Sequence, residues 1–233
     1  MNKIFDRLFS HPNFTCDVCS CEIFGKERLC KSCLQALPRN NGEICLCCGR
    51  AELQTGLCIE CRAHRPDFDM ARSAFEYEGS AASMILRLKD GQRYLAETLA
   101  EFLLPLLEDY ADADALCYVP MTRSSEEERG YNQAELLAKH LSDWSEIEVL
   151  HCVKKSKETE SQKTLNYQKR KSNLKGVFRV EDKKKIQGKN VVVIDDVLTT
   201  GATANELARC LKKAGANRVY VLTVASVPNK INT

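Results

Sequence analysis

The sequence predicts an α/β protein, with a parallel sheet covered by helices and a small cysteine-rich metal module in front of it. Three observations predict this. From residue 71 onward, strand-like apolar runs alternate with segments of helical apolar spacing. The run NVVVIDD at 190–196 is continuous and β-branched, and a turn of small residues and another helical pattern follow it. Ten of the thirteen cysteines fall before residue 62, most of them in Cys-x-x-Cys pairs. A chain of 233 residues accommodates one domain of about 150 residues and a smaller appendage. The connector HRPDFD at 64–69 places the boundary near residue 66, giving a cysteine module over 1–66 and a sheet domain over 67–233.

In the module, Cys16, Cys19, Cys30 and Cys33 read Cys-x-x-Cys, ten residues, Cys-x-x-Cys; Cys45, Cys48, Cys58 and Cys61 repeat the pattern with nine. Two thiolate knuckles joined by a short hairpin form a zinc ribbon, and each quartet suits one tetrahedral Zn²⁺, which a segment this poor in apolar residues needs in order to fold. Interleaved pairing of the knuckles, or a single occupied site, satisfies the same spacing, and Cys21 and Cys47 are extra thiols near the ligands. Zinc ribbons act as structural clips, protein platforms or nucleic-acid readers, so the metal does not choose a partner. The N-terminal segment MNKIFDRLFSHPNF has no continuous apolar stretch of the kind an export signal needs. A cytoplasmic location with reduced cysteines is therefore expected. No apolar run approaches the roughly 20 residues of a membrane helix, so direct membrane insertion is not expected.

Past the boundary, ARSAFEYEG at 71–79 alternates as a half-buried strand does, and Met84, Ile85 and Leu88 mark a helix. Leu95, Leu99, Phe102, Leu103 and Leu106 define one face of a long helix. The segment 115–120 reads as a short buried strand, then a polar loop precedes a helix carrying Leu136, Leu137 and Leu141, and 146–153 reads as a further strand. The last unit is the clearest: a strand at 190–196, a turn, a helix ending at Gly215 and the strand RVYVLTVAS form a βαβ unit. Cys117, Cys152 and Cys210 fall within these elements and read as small buried hydrophobes. Continuous hydrophobicity at 191–194 assigns that strand to the middle of a parallel sheet, where ligands bind at the carboxyl ends.

Asp195 and Asp196 stand at that end. Ionised carboxylates are costly to bury unpaired, so the pair is expected to line an open cleft. In the turn, Thr199, Thr200, Gly201, Ala202 and Thr203 are small enough for backbone amides to converge, and the positive end of the next helix points the same way. A phosphate cradle beside hydroxyl-accepting carboxylates suits a sugar phosphate. An ordinary helix entry with solvated aspartates is the plainer reading of the same local pattern.

The segment VVVIDDVLTTGAT at 191–203 resembles the phosphoribosyl-pyrophosphate (PRPP) motif of type I phosphoribosyltransferases. The resemblance implies that fold, with Asp195 and Asp196 on the ribose hydroxyls and Thr199 through Thr203 on the 5′-phosphate. Together with the cysteine module, VPMTRSSEEERGYNQAELLA at 119–138 and SQKTLNYQKRKSNLKGVF at 161–178 resemble the ComF family of competence proteins over most of residues 16–226. That resemblance implies a part in DNA uptake during natural transformation, with single-stranded DNA and a competence ATPase or helicase as partners and PRPP as ligand or regulator. Where the family carries an arginine, threonine and glutamine pattern, this chain has Lys154, Lys155, Lys157, Thr159 and Gln162, and lysine cannot grip a pyrophosphate bidentately as arginine does.

The pyrophosphate of PRPP requires Mg²⁺ and cationic donors across the cleft. Thr122, Arg123 and Arg129 from one loop and Lys163 and Arg170 from another are the candidates, with Gly130, Asn132 and Gln133 beside them. Residues 151–190 hold 13 Lys or Arg against 4 Asp or Glu within an overall charge of +2; this basic stretch fits phosphate-dominated nucleic-acid binding, although Tyr167 and Phe178 provide little aromatic interleaving. An active enzyme would instead transfer phosphoribosyl from PRPP to a nitrogen acceptor, and no residue pattern names that acceptor.

Overall fold

A computed structural model describes residues 15–54, 56–155 and 176–228. The chain divides into two compact units, Met1–Leu37 and Pro38–Thr233. The second cysteine quartet thus belongs to the same unit as the sheet, whereas the boundary drawn near residue 66 grouped both quartets together. In the smaller unit, Ser20 turns back on Cys16 at φ 60°, its N–H donating to the Cys16 carbonyl at 2.8 Å. Helix α1 (Lys31–Gln35) begins at Cys30.

Along the larger unit run α2 (Ile59–Ala63), β1 (Met70–Glu76), α3 (Gly79–Lys89), α4 (Leu95–Leu103), β2 (Ala115–Tyr118), α5 (Arg123–Arg129) and α6 (Gln133–Ser145). They are followed by β3 (Val153–Lys155), β4 (Phe178–Val180), β5 (Asn190–Leu198), α7 (Ala202–Lys213) and β6 (Arg218–Ser226). The main sheet has the order β1-β6-β5-β2 and every pair in it is parallel. Val191, Val193, Val219 and Val221 share one core with Leu207, Ala208 and Leu211 of α7 and with the second cysteine quartet. Strand alternation sends Val192 and Ile194 to the opposite face, where α6 packs against β5 and α4 against β6. Val191 through Ile194 are fully buried, which accounts for the unbroken apolar run.

Three local expectations change. The long helix ends at Leu103 and continues as a 3-10 turn over Leu104–Tyr110, with proline in its first turn; Pro105 lacks the N–H that an α-helix would use. The presumed loop after Pro120 contains α5, bounded by the hydroxyl of Thr122 and by Gly130 in the left-handed region at φ 78°. The strand read at 146–153 makes a single parallel bridge between Val149 and Leu116. Beyond it the backbone turns to β4, with Glu181 N–H donating to the Cys152 carbonyl at 2.8 Å, and β3 pairs antiparallel with β4. Among the described residues, no helix is long and apolar enough to cross a membrane.

Candidate phosphate and metal sites

Parallel β5 carries its acidic pair to the carboxyl edge of the sheet. Successive strand side chains face opposite ways, so the two carboxylates meet different surroundings. Asp196 is 5% exposed and accepts from Gln133 Nε2 at 3.0 Å, while its other oxygen pairs with Lys89 Nζ. Gln133 is aimed by its helix start. Asn132 caps α6 by accepting from the amides of Ala134 and Glu135 and ties it to β2 by donating to the Val119 carbonyl at 3.0 Å. Burial opposes ionisation of Asp196, but Lys89 and Gln133 outweigh it and hold the carboxyl below its ordinary value. Asp195 is half-buried; burial and the neighbouring Asp196 push its carboxyl well up. Lys155 of β3 feels the Asp195 charge, although its own burial lowers its pKa.

The turn after β5 begins at exposed Thr199. The Thr200 hydroxyl accepts from Ala202 N–H at 3.3 Å, and Gly201, at φ 73°, is the N-cap of α7. That left-handed conformation is readily adopted by glycine and strained for other residues. A cleft of about 390 Å³ adjoins this turn. Thr200, Gly201, Ala202 and the start of α7 form one wall, and Arg50, Glu60, His64 and Arg65 from the second cysteine segment form another. The Arg50 guanidinium, 6% exposed, donates to Glu60 Oε2 at 2.7 Å. A Cβ placed on Gly201 would lie 3.6 Å from Arg50 Nη2 and 3.9 Å from Phe68 Cε1.

The other sequence candidates are scattered. The Thr122 hydroxyl accepts from Ser125 N–H as the cap of α5, and Arg123 is 92% exposed and paired with Glu127 at 2.7 Å. Arg129 donates to Gln133 Oε1 at 2.5 Å, one side chain removed from Asp196. Lys163 and Arg170, with Lys157, Thr159, Gln162 and Tyr167, lie outside the described residues. Lys89 and Arg50 escaped the sequence reading: Lys89 closes a helix with an ordinary apolar stripe, and Arg50 stands inside the cysteine pattern. The adjacency of Arg50 to a Cys-x-x-Cys knuckle was the only signal, and it does not point to the 199–203 turn about 150 residues away in the chain.

Each cysteine quartet brings its four sulfurs within 4.8 Å of one another. Tetrahedral Zn–S bonds of about 2.3 Å place sulfurs about 3.8 Å apart, the separation found for Cys19–Cys30 and Cys48–Cys58 at 3.8 Å. Amides support the thiolate form, with Cys30 N–H donating to Cys16 Sγ and Cys58 N–H to Cys45 Sγ, both at 3.3 Å. Burial disfavours the Cys45 thiolate, but the amides of Cys58, Cys48 and Cys47 bring its pKa down to about 7. Both quartets therefore fit zinc, and the pairing follows the sequence spacing without interleaving. All four ligands of the second quartet are buried, whereas Cys19 of the first is exposed.

Residues 127–232 match the family model of the phosphoribosyl transferase domain. The sheet and helices of the larger unit are thus of the phosphoribosyltransferase type, and the two cysteine quartets are able to hold zinc. Competence protein F of Haemophilus influenzae is 32% identical to the chain, with the match covering 91% of this chain and 97% of that protein. DNA utilization protein YhgH of Escherichia coli is 31% identical over 83% of this chain and 88% of its own length. Competence protein ComFC of Bacillus subtilis is 30% identical over 81% and 80%. The chain belongs to the ComF family.

Proposed function

We propose that the chain binds PRPP at the carboxyl end of β5 and acts in the uptake of transforming DNA. The observation that carries the ligand reading is the succession on one strand and turn of a half-buried Asp195, a charge-paired Asp196 and the left-handed Gly201 opening α7. Asp195 accepts from the ribose hydroxyls, Asp196 is held ionised beside them by Lys89 and Gln133, and Thr199 through Thr203 cradle the 5′-phosphate. Mg²⁺ bound with the pyrophosphate would supply the charge that neutralises it.

The biological role follows from relatives named for competence and DNA utilization. Support for contact with single-stranded DNA comes from Lys183, Lys184 and Lys185, which form an exposed turn within the basic stretch; lysines of this kind contact phosphates without reading sequence. A competence ATPase is the expected protein partner. Calorimetric titration of Mg²⁺ and PRPP into the zinc-loaded chain tests the ligand reading: binding that is lost in Asp195→Asn supports it, and no binding by the wild type overturns it. Pyrophosphate release with an added nitrogen acceptor would make the domain a working transferase, with PRPP as substrate.

A further inference from the structure

We propose that Arg50, carried on the second cysteine knuckle, is a positioning residue of the phosphate site, backing Gly201 and placing a positive charge behind the 199–203 turn. The inference rests on the phosphoribosyl reading above and extends it, because it makes the cysteine module part of the ligand site.

The knuckle fixes where Arg50 stands. Its carbonyl accepts from Cys45 N–H at 2.9 Å, Gly49 N–H donates to the Cys45 carbonyl at 2.9 Å, and Ala71 N–H of β1 donates to the Cys47 carbonyl at 2.7 Å. The knuckle is thus bound to the sheet on one side and closed by its own turn on the other. From this base the side chain runs inward, 6% exposed, until Nη2 stands 3.6 Å from where a Cβ on Gly201 would lie.

A buried guanidinium is retained where anionic groups meet it. Glu60 meets one side at 2.7 Å, but Glu60 itself is 51% exposed and its charge is partly screened by water. Nη2 is the nitrogen of the fork that stands beside the turn read as binding a phosphate dianion. Arg65 and His64 line the same cleft, with Thr200 and Ala202 opposite. Gly201 is the residue whose conformation starts α7, so a cation packed behind it sets both the shape of the turn and the local potential. Charge-assisted contacts of this kind are selective for the phosphate end of a ligand and indifferent to its other end.

The test uses the full-length zinc-loaded protein, with calorimetric titration of ribose 5-phosphate, Mg²⁺–PRPP and Mg²⁺–pyrophosphate. Arg50→Gln is expected to weaken ribose 5-phosphate and PRPP about tenfold, leave pyrophosphate affinity and zinc content unchanged, and be partly rescued by Arg50→Lys. Glu60→Gln, which keeps Arg50 and removes its competing anion, is expected to tighten ribose 5-phosphate. Arg50→Gln protein with full zinc and wild-type affinity for ribose 5-phosphate overturns the proposal; so does Glu60→Gln with unchanged or weaker affinity, should Arg50→Gln not fold. Wild-type protein that binds neither phosphoribosyl ligand overturns the ligand reading and this inference together.

Discussion

Lys89 Nζ pairs with Asp196 Oδ2, joining the last turn of α3 to the carboxyl end of β5. The contact leaves the two adjacent aspartates unlike: Asp196 is stabilised as an anion and Asp195 is pushed toward its neutral form.

Opposite stability effects are therefore expected from the two Asp→Asn variants. The folded pKa of Asp196 is depressed, so its contribution is present above the unfolded value of about 4 and is lost as pH falls through the folded value. Asp195, with a raised pKa, erodes stability as pH climbs above that same unfolded value. At neutral pH, Asp195→Asn should raise Tm by a few degrees, about 1 kcal/mol. Asp196→Asn should lower it by about 2 kcal/mol by stranding Lys89. Thermal melts at pH 4 and pH 7 check both signs, and the difference between the variants should shrink at pH 4.

Gln133→Leu removes the donor to Asp196 Oδ1 and the acceptor of Arg129. A loss of about 1–2 kcal/mol in stability is expected, together with weaker PRPP binding. Denaturant melts and calorimetry of the same preparation separate the two effects, and unchanged PRPP affinity would remove Gln133 from the site.

Much of this arrangement was legible in the sequence because apolar periodicity reports burial directly. The β-branched run of β5, the stripe of α6 and the two cysteine spacings each became an element or a cluster. Helix α5 was not legible, since Ser124 through Arg129 contain no apolar residue and the helix is held by its caps, Thr122 and Gly130. The partition of the cysteines was hidden for a different reason. Cys45, Cys48, Cys58 and Cys61 have nearly the spacing of the first quartet, yet they are packed with Phe68, Leu198 and Leu207, and spacing does not encode a packing partner.

Gly49 supplies a test of that packing. It stands at φ 67°, and a Cβ there would come within 2.3 Å of the Ala71 carbonyl oxygen. Gly49→Ala should cost about 3 kcal/mol, strain and collision together. Gly188, at φ 76° with nothing within 4 Å of an added Cβ, should lose only about 1 kcal/mol on the same substitution. Urea midpoints of the two variants measure the difference, and equal losses would show that the knuckle is not seated against β1.

The metal sites give a fourth expectation. Elemental analysis of the purified chain should find two zinc ions, and Cys19→Ser or Cys48→Ser should each remove one. Cys48 is buried in the core of the larger unit, so its loss should lower the main thermal transition by several degrees, whereas Cys19→Ser should leave that transition in place.

The pairing of β1 with β6 sets an order of events during synthesis. Ser73 and Thr223 hydrogen-bond at 2.7 Å across 150 residues of chain, so a ribosome delivering the N-terminal end first leaves β1 without its neighbour until β6 has emerged. The ligands of each quartet need no such wait, since Cys45 and Cys61 lie sixteen positions apart and close only a short loop. Closure of the cysteine quartets is thereby a local, early step, and sheet assembly a distant, late one. A zinc ion taken up at either quartet would thus find its ligands before the sheet has its partners.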